Sequence, residues 1–491
     1  IQDHKWTEKE YKKLNKSTRD LLNYEELQFY LPFYSFYFYL HNKSKAIHKI
    51  DLKRNYYLKE ITEITKSRYY NSNMFMKGNI YNECKNITTK TELFCKSIPI
   101  LDPIHCINNN YNLVNHNNYH LPSNYNHNTF QKINDINNTA YIDVFCSYLF
   151  SNLAYQKKNP SFPLFYGSIN GIGDYNYDLS EDYMDIKNDK CFNENIDKGF
   201  KLEIYVSDSD SDSDSDSESG SEKDPDSENN NYDDCIAKIT KIPIQMLFIE
   251  KLEGTLEDLI DEKISEEVLL SCMFQISFAL IYLQKHFHFT HNDLHINNVM
   301  FSKTENKYLY YKYNNIYYRV PTHGYIFKII DFGRAVFKFR NKIFMNDVFS
   351  SHGEAGGQYT YPSQIPFMIE KHKEHIRPNF HFDLCRLSMT ILEELNHGNY
   401  SERILLFLHK MCQNKVGTSF CDMNDDFYLY KSIAKDACNC LPRDIIMNDI
   451  FKQYRIKKKL FPRKSCLLYT SDAADDSLRV DLGGRRIIKK L

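Results

Sequence analysis

Residues 265–333 constrain this chain more than any other stretch. Ser265 is suited to cap a helix, with Glu266 and Glu267 in its first turn. Leu269, Cys272, Met273, Ile276, Ala279, Leu280 and Leu283 then recur at helical spacing. A polar loop, HNDLHINN at 291–298, follows that pattern. Val299-Met300-Phe301 and the run 325–330 read as short strands, and the second leads straight into Asp331-Phe332-Gly333. The loop carries an Asp five residues before an Asn, and the second strand ends on another Asp. A neutral amide oxygen and a charged carboxylate are ligands that a hard divalent cation takes. The remaining carboxylate, Asp293, is free to handle a proton.

These residues resemble the protein kinase-like superfamily. The phrases THNDLHINNVMF, VPTHGYIFKIIDFGRA, GEAGGQY and FHFDLCRL are similar to those of kinases encoded by giant DNA viruses, and the resemblance covers roughly 69–465. It implies an α+β, bilobal fold: a small β-rich lobe with one key helix, and a large, mainly helical lobe. It also implies ATP as phosphate donor and Mg²⁺ as cofactor. Asp293 would orient the attacking hydroxyl, while Asn298 and Asp331 would hold the metal. The segment Glu250-Lys251-Leu252-Glu253-Gly254 resembles the interlobe hinge. Adenine would pair there with the Glu250 carbonyl and the Leu252 amide, beside Ile249. Asp383 matches the buried Asp that braces the catalytic loop in kinases, and a plain helix cap is the alternative.

In the first half the pattern turns β-like from 69 to about 98, ending in Glu92-Leu93-Phe94-Cys95-Lys96-Ser97-Ile98. A Lys in an apolar strand needs a partner, because an unpaired buried ammonium is costly. The resemblance makes Lys96 the residue that meets the α/β-phosphates, and a water-facing edge lysine is the alternative. Residues 138–155 read as an amphipathic helix with Tyr141, Val144, Phe145, Tyr148 and Leu149 on one face. Its one acid, Asp143, is the candidate ion-pair partner, one methylene shorter than the usual Glu. The resemblance places a Gly-rich phosphate loop before the Lys96 strand, where Gly78 stands alone. Gly167, Gly171 and Gly173 come too late in the chain and read as a turn.

Two positions in the catalytic loop depart from the family pattern. Asn292 stands where phosphorylation-switched kinases carry the Arg that grips the activation-segment phosphate. His295 stands where protein Ser/Thr kinases use a Lys against the γ-phosphate. The resulting DLH form is similar to small-molecule phosphotransferases such as aminoglycoside and choline kinases. His286, His288, His291 and His295 also suggest a metal cluster, but Asp293 and Asn298 already account for the loop and no Cys joins it.

The domain map follows: 1–68 an N-terminal helical extension, 69–250 the small lobe, 251–465 the large lobe. Within the small lobe, 207–234 holds twelve acids and one Lys, too charged and too poor in apolar residues to fold. Its net −11 against −2 for the whole chain leaves about +9 for the remainder, which suits phosphates. No basic cluster with interleaved aromatics argues for nucleic acid. The apolar run 27–40 is too short for a membrane helix. Residues 302–325 predict a hairpin turning at Asn314-Asn315. CLLYTSDAAD at 466–475 and VDLGGRRIIKK at 480–490 read as translated sequencing-library adapter, so 466–491 is expected to lie outside the fold. Thirteen scattered cysteines without a CxxC pair suggest reduced thiols. The resemblance then implies an intracellular protein, in the cytoplasm of an infected cell or in a virion.

Three functions are open to such a chain. An ATP- and Mg²⁺-dependent kinase acting on protein Ser/Thr comes first, ahead of a small-molecule phosphotransferase. A pseudokinase serving as a binding module is the third, with Asp293, Asn298 and Asp331 together counting against it.

Overall fold

In the computed structural model, seven strands of the first half form one antiparallel sheet, with the helices Glu8–Leu22 and Thr139–Tyr155 packed against it. The structure describes residues 7–28, 55–67, 72–111, 121–122, 131–180, 182–205, 234–339, 342–350, 353–359, 378–395, 400–423, 426–462 and 468–470. Most of the apolar run 27–40, nearly all of the acidic stretch 207–234 and most of 466–491 lie outside these residues.

The strands are β1 (Leu27–Gln28), β2 (Tyr56–Ser67), β3 (Met74–Asn82), β4 (Ile87–Pro99), β5 (Phe165–Asp178), β6 (Phe200–Tyr205) and β7 (Asp234–Glu250). Their order is β1-β5-β7-β4-β3-β2, with β6 also on β7. β6 and β7 pair at Tyr205 and Asp234, so the two ends of the acidic stretch meet across a ladder.

Two sequence expectations are corrected here. Residues 1–68 are not simply a helical extension. Helix α1 (Glu8–Leu22) begins at a Thr7–Glu10 capping box, as expected of a helical patch, but Tyr56–Ser67 is a strand. Its apolar residues Leu58, Ile61 and Ile64 fall three apart because the pairing with β3 slips at Leu58/Glu60, Ile61/Glu63 and Ile64/Lys66. Bulges of this kind turn a period of two into a period of three, and that spacing imitates a helix face. The glycines at 167, 171 and 173 form no turn but lie inside β5. A Cβ on Gly171 or Gly173 would come within 2.7 Å of the Tyr24 ring, so these positions let the segment after α1 lie flat on the sheet.

The helix α2 (Thr139–Tyr155) is capped by Asn138, whose side-chain oxygen accepts from the Ala140 amide. The expected single apolar face is also corrected, because every residue from Ala140 to Ser151 is buried. A helix apolar on all sides belongs in a core. Here α2 lies against the sheet, and Phe150 packs against Phe162, just before β5, and against Phe287, Phe289 and Phe332 from the second half of the molecule.

After β7 come β8 (Gly254–Thr255), α3 (Leu256–Asp261) and α4 (Glu266–Phe287). By length and composition α4 could cross a membrane, but 89% of its apolar stretch is buried inside the fold. Strands β9 (Val299–Lys303) and β12 (Tyr325–Ile329) pair with each other and flank the hairpin of β10 (Tyr308–Tyr313) and β11 (Ile316–Pro321). The hairpin turns where expected: Asn314 and Asn315 have φ of 44° and 62°, the left-handed pair of a two-residue type I′ turn. Its Tyr311 and Tyr318 pack on Phe274 of α4. Leu468–Thr470, within the tail read as adapter, runs parallel to β10. The longer helices of the rest of the second half are α5 (Phe382–Glu394), α6 (Glu402–Met411) and α7 (Asp426–Asp436).

Candidate active site

The site begins at β4, which carries Lys96 inward between the buried Cys95 and Ser97. Lys96 Nζ stands 2.7 Å from Asp143 Oδ2 on α2 and 2.8 Å from Asp331 Oδ1. Asp143 accepts a second bond at Oδ1 from the Phe332 amide, at 3.0 Å. One carboxylate thus fixes both the lysine and the backbone after Asp331. The short Asp suffices because α2 is packed deep against the sheet.

Charge in this cluster is unbalanced, with one cation between two carboxylates. Burial alone would lower the Lys96 pKa, but Asp143 and Asp331 reverse this and raise it, so the ammonium keeps its proton. Burial pushes Asp143 up against the pull of Lys96. Burial also acts to raise Asp331, but Lys96 outweighs it and holds that carboxyl down to about 2. Asp331 is therefore an ionised oxygen donor. Its φ of 60° is a left-handed conformation that Asp tolerates and that clusters at functional sites.

The loop 291–298 is held from behind by α5. Both oxygens of the fully buried Asp383 accept from the His291 amide at 3.0 Å, and Oδ1 also accepts from the Asn292 amide at 3.0 Å. Asp383 therefore braces the loop backbone, and it makes no cap at the N-terminus of α5. The His291 ring packs 5.6 Å from that of Phe332, and its Nε2 meets the Ile330 carbonyl at 2.9 Å. Asn292, at φ 65°, is buried; its amide donates to the carbonyls of Thr290 and Arg334, and its oxygen accepts from the Tyr359 hydroxyl.

Asn298 uses its amide nitrogen twice, toward the Asp293 carbonyl at 2.8 Å and toward His295 Nε2 at 2.9 Å. These two bonds fix the orientation of the amide, and its oxygen is the end turned away from them. His295 Nε2 is thereby engaged by the Asn298 amide. Burial lowers its pKa, so the imidazole is a neutral acceptor that orients Asn298.

A cavity of about 280 Å³ joins these groups. Lys96, Asp143, Asn298 and Asp331 line one part, and Ile249, Glu250 and Leu252 line another. Phe75 and Phe94, paired across β3 and β4 with rings 5.2 Å apart, line the same cavity as Met300 and give it apolar wall of the kind a flat heterocycle packs against. The Glu250 side chain is bonded to Lys328 of β12, which ties the end of β7 to the second half. A second cavity of about 440 Å³ opens beside the first, with Asp293, Asp331 and Arg334 on its wall.

Of the candidates named from sequence, Lys96, Asp143, Glu250, Leu252, Asn298 and Asp331 line the first cavity and Asp293 the second, while His295 reaches the site through Asn298. The connection between β2 and β3, where a phosphate loop would stand, contains no glycine. Gly78 sits mid-strand, where a Cβ would press within 2.8 Å of the Glu60 carbonyl.

Among the described residues no cluster of three His, Cys, Asp or Glu could hold a metal by itself. A Mg²⁺ site needs less, because Mg²⁺ keeps several waters and takes substrate phosphates besides one or two protein oxygens. The oriented Asn298 amide and the ionised Asp331, beside a net negative cluster, fit that requirement. Three residues that sequence did not point to also belong here. Arg334 lies 3.9 Å from Asp293 Oδ1, the Tyr430 hydroxyl donates to that oxygen at 2.9 Å, and Arg386 lies against Tyr430. Arg334 follows Gly333 directly and could have been suspected, whereas Tyr430 carries no local signal. No protein-family model matches this chain, and no curated protein matches it.

Proposed function

We propose that the protein is an ATP- and Mg²⁺-dependent phosphotransferase of the protein kinase-like class, with the sheet as small lobe and the helical half as large lobe. The observation that carries this reading is the Lys96 ammonium held between Asp143 and Asp331 at the wall of a cavity that Asn298 also lines.

On this reading the adenine sits between the Phe75–Phe94 pair and Met300, against the backbone of Glu250 and Leu252. Lys96 meets the α/β-phosphates, and Asn298 and Asp331 present the two protein oxygens to the metal. Mg²⁺, when bound, neutralises the charge that develops on the transferred phosphoryl group. Asp293 orients the acceptor hydroxyl and takes its proton. A protein Ser/Thr hydroxyl is the acceptor we favour.

Transfer to a small-molecule hydroxyl is the second reading. It is supported by the absence of a loop lysine two residues after Asp293, where His295 is committed to Asn298. A phosphate-transfer assay against separate protein and metabolite pools, with Asp331→Asn as blank, tests both. Label in the protein pool supports the first reading, label in metabolites the second, and label in neither removes both.

A further inference from the structure

Asp293 must present one carboxylate oxygen to an acceptor, yet the torsion that orients an Asp carboxylate is broad and nearly two-fold. Something has to hold it. Among the described residues, the side-chain contacts of Asp293 fall on Oδ1: the Tyr430 hydroxyl donates at 2.9 Å, and the Arg334 guanidinium lies at 3.9 Å. Tyr430 belongs to α7, 137 residues further along the chain. The phenol is itself held. Arg386 Nε donates to its oxygen at 3.4 Å, and the same guanidinium lies 5.4 Å from the ring centre. The ring packs 5.8 Å from Phe382. Arg386 is three residues past Asp383 on α5, so one helix face serves the loop twice: Asp383 fixes the backbone, and Arg386 fixes the group that fixes Asp293.

Tyr430 is not among the residues lining either cavity, whereas Asp293 lines the larger one, so its bond reaches the carboxylate from the packed side. Burial and the charge of Asp293 both raise the phenol pKa, which keeps it a donor.

We propose that Tyr430 is a positioning residue for Asp293, holding Oδ1 so that Oδ2 faces the acceptor hydroxyl in the cleft. In the transfer step the acceptor oxygen bonds to the γ-phosphorus, and the bond from that phosphorus to the bridging oxygen breaks. ADP leaves, the acceptor proton passes to Asp293 Oδ2, and Tyr430 keeps its own proton. The inference rests on the phosphotransferase reading.

Its test is Tyr430→Phe in the full chain, which keeps the ring and removes the hydroxyl. The expected result is a loss of roughly tenfold in kcat, as for other groups that orient a reacting side chain, with KM for ATP and the thermal shift by MgATP unchanged. In an Asp293→Asn background Tyr430→Phe is expected to add no further loss, because the two act as one unit. Arg386→Met, which loosens the phenol without touching the cleft, is expected to lower kcat in the same direction by less. An unchanged kcat in Tyr430→Phe, or an equal loss with and without Asp293, overturns the inference while leaving the phosphotransferase reading intact. A wild type that turns over no ATP with any acceptor, water included, overturns both.

Discussion

His295 Nε2 accepts the side-chain amide of Asn298 at 2.9 Å, and this contact assigns work to both residues. The neutral imidazole spends Nε2 on this bond and brings no positive charge to a phosphate, and the amide has no freedom to turn its nitrogen toward a cation. His295→Ala is therefore expected to raise the Mg²⁺ concentration needed for half-maximal activity roughly tenfold, as loss of a group orienting a metal ligand does. His295→Lys should repeat that loss, because an ammonium cannot accept a hydrogen bond. A Mg²⁺ titration of both variants checks this, and a Lys variant more active than wild type would show that position 295 faces the phosphate instead.

Lys96→Met should cost stability as well as nucleotide binding. It leaves Asp143, 2% exposed at its side chain, without its cation. Breaking a buried pair from one side costs about 3 kcal/mol, the low end of the usual range because Asp143 can take up a proton and keep its bond from Phe332. Urea denaturation measures the loss. A variant as stable as wild type would mean that Asp143 is not burdened by its burial.

Most of the frame around these groups could be read from sequence, and the exceptions have definite causes. Helix α4, the β10–β11 hairpin and the Lys96 strand depend on local chemistry: apolar spacing, an Asn-Asn turn and an apolar run. Strand β2 was hidden because three bulges give it helical spacing, and Gly171 and Gly173 misled because small residues serve close packing as well as turns. Asp143 could be found as the one acid on its helix. Tyr430 could not be found, since its partner is 137 positions away and no periodicity links them.

Asp135 supplies a pH signature. Burial, aided by the nearby Asp347, raises its pKa to about 6 despite a bond from the Asn137 amide. A carboxyl whose folded pKa is raised binds more protons folded than unfolded. Its contribution is full below the unfolded pKa of about 4 and is lost as the pH rises to about 6. Asp135→Asn is expected to match wild type near pH 4 and to exceed its melting temperature at pH 7.5. Melting curves across that range decide the matter, and parallel profiles for the two proteins would contradict it.

Activity should not depend on phosphorylation of the segment that follows Gly333. Asn292 is buried and engaged by Thr290, Arg334 and Tyr359, and it carries no charge to receive a phosphate. Phosphatase-treated protein is expected to retain any phosphotransferase rate it has, and silencing by phosphatase would show a phosphate receptor elsewhere.

The central claim is that the Lys96–Asp143–Asp331 cluster and Asn298 bind MgATP for phosphoryl transfer. Thermal unfolding of wild type and Asp331→Asn, each with and without MgATP, tests it most directly. Nucleotide at 100 times its Kd would stabilise the wild type by about 2.7 kcal/mol. Asp331→Asn, which keeps the shape and the acceptor for Lys96 but loses the charge for the metal, is expected to unfold at the same temperature with MgATP as without it. A wild type indifferent to MgATP, or a variant shifted as far as the wild type, would contradict the claim.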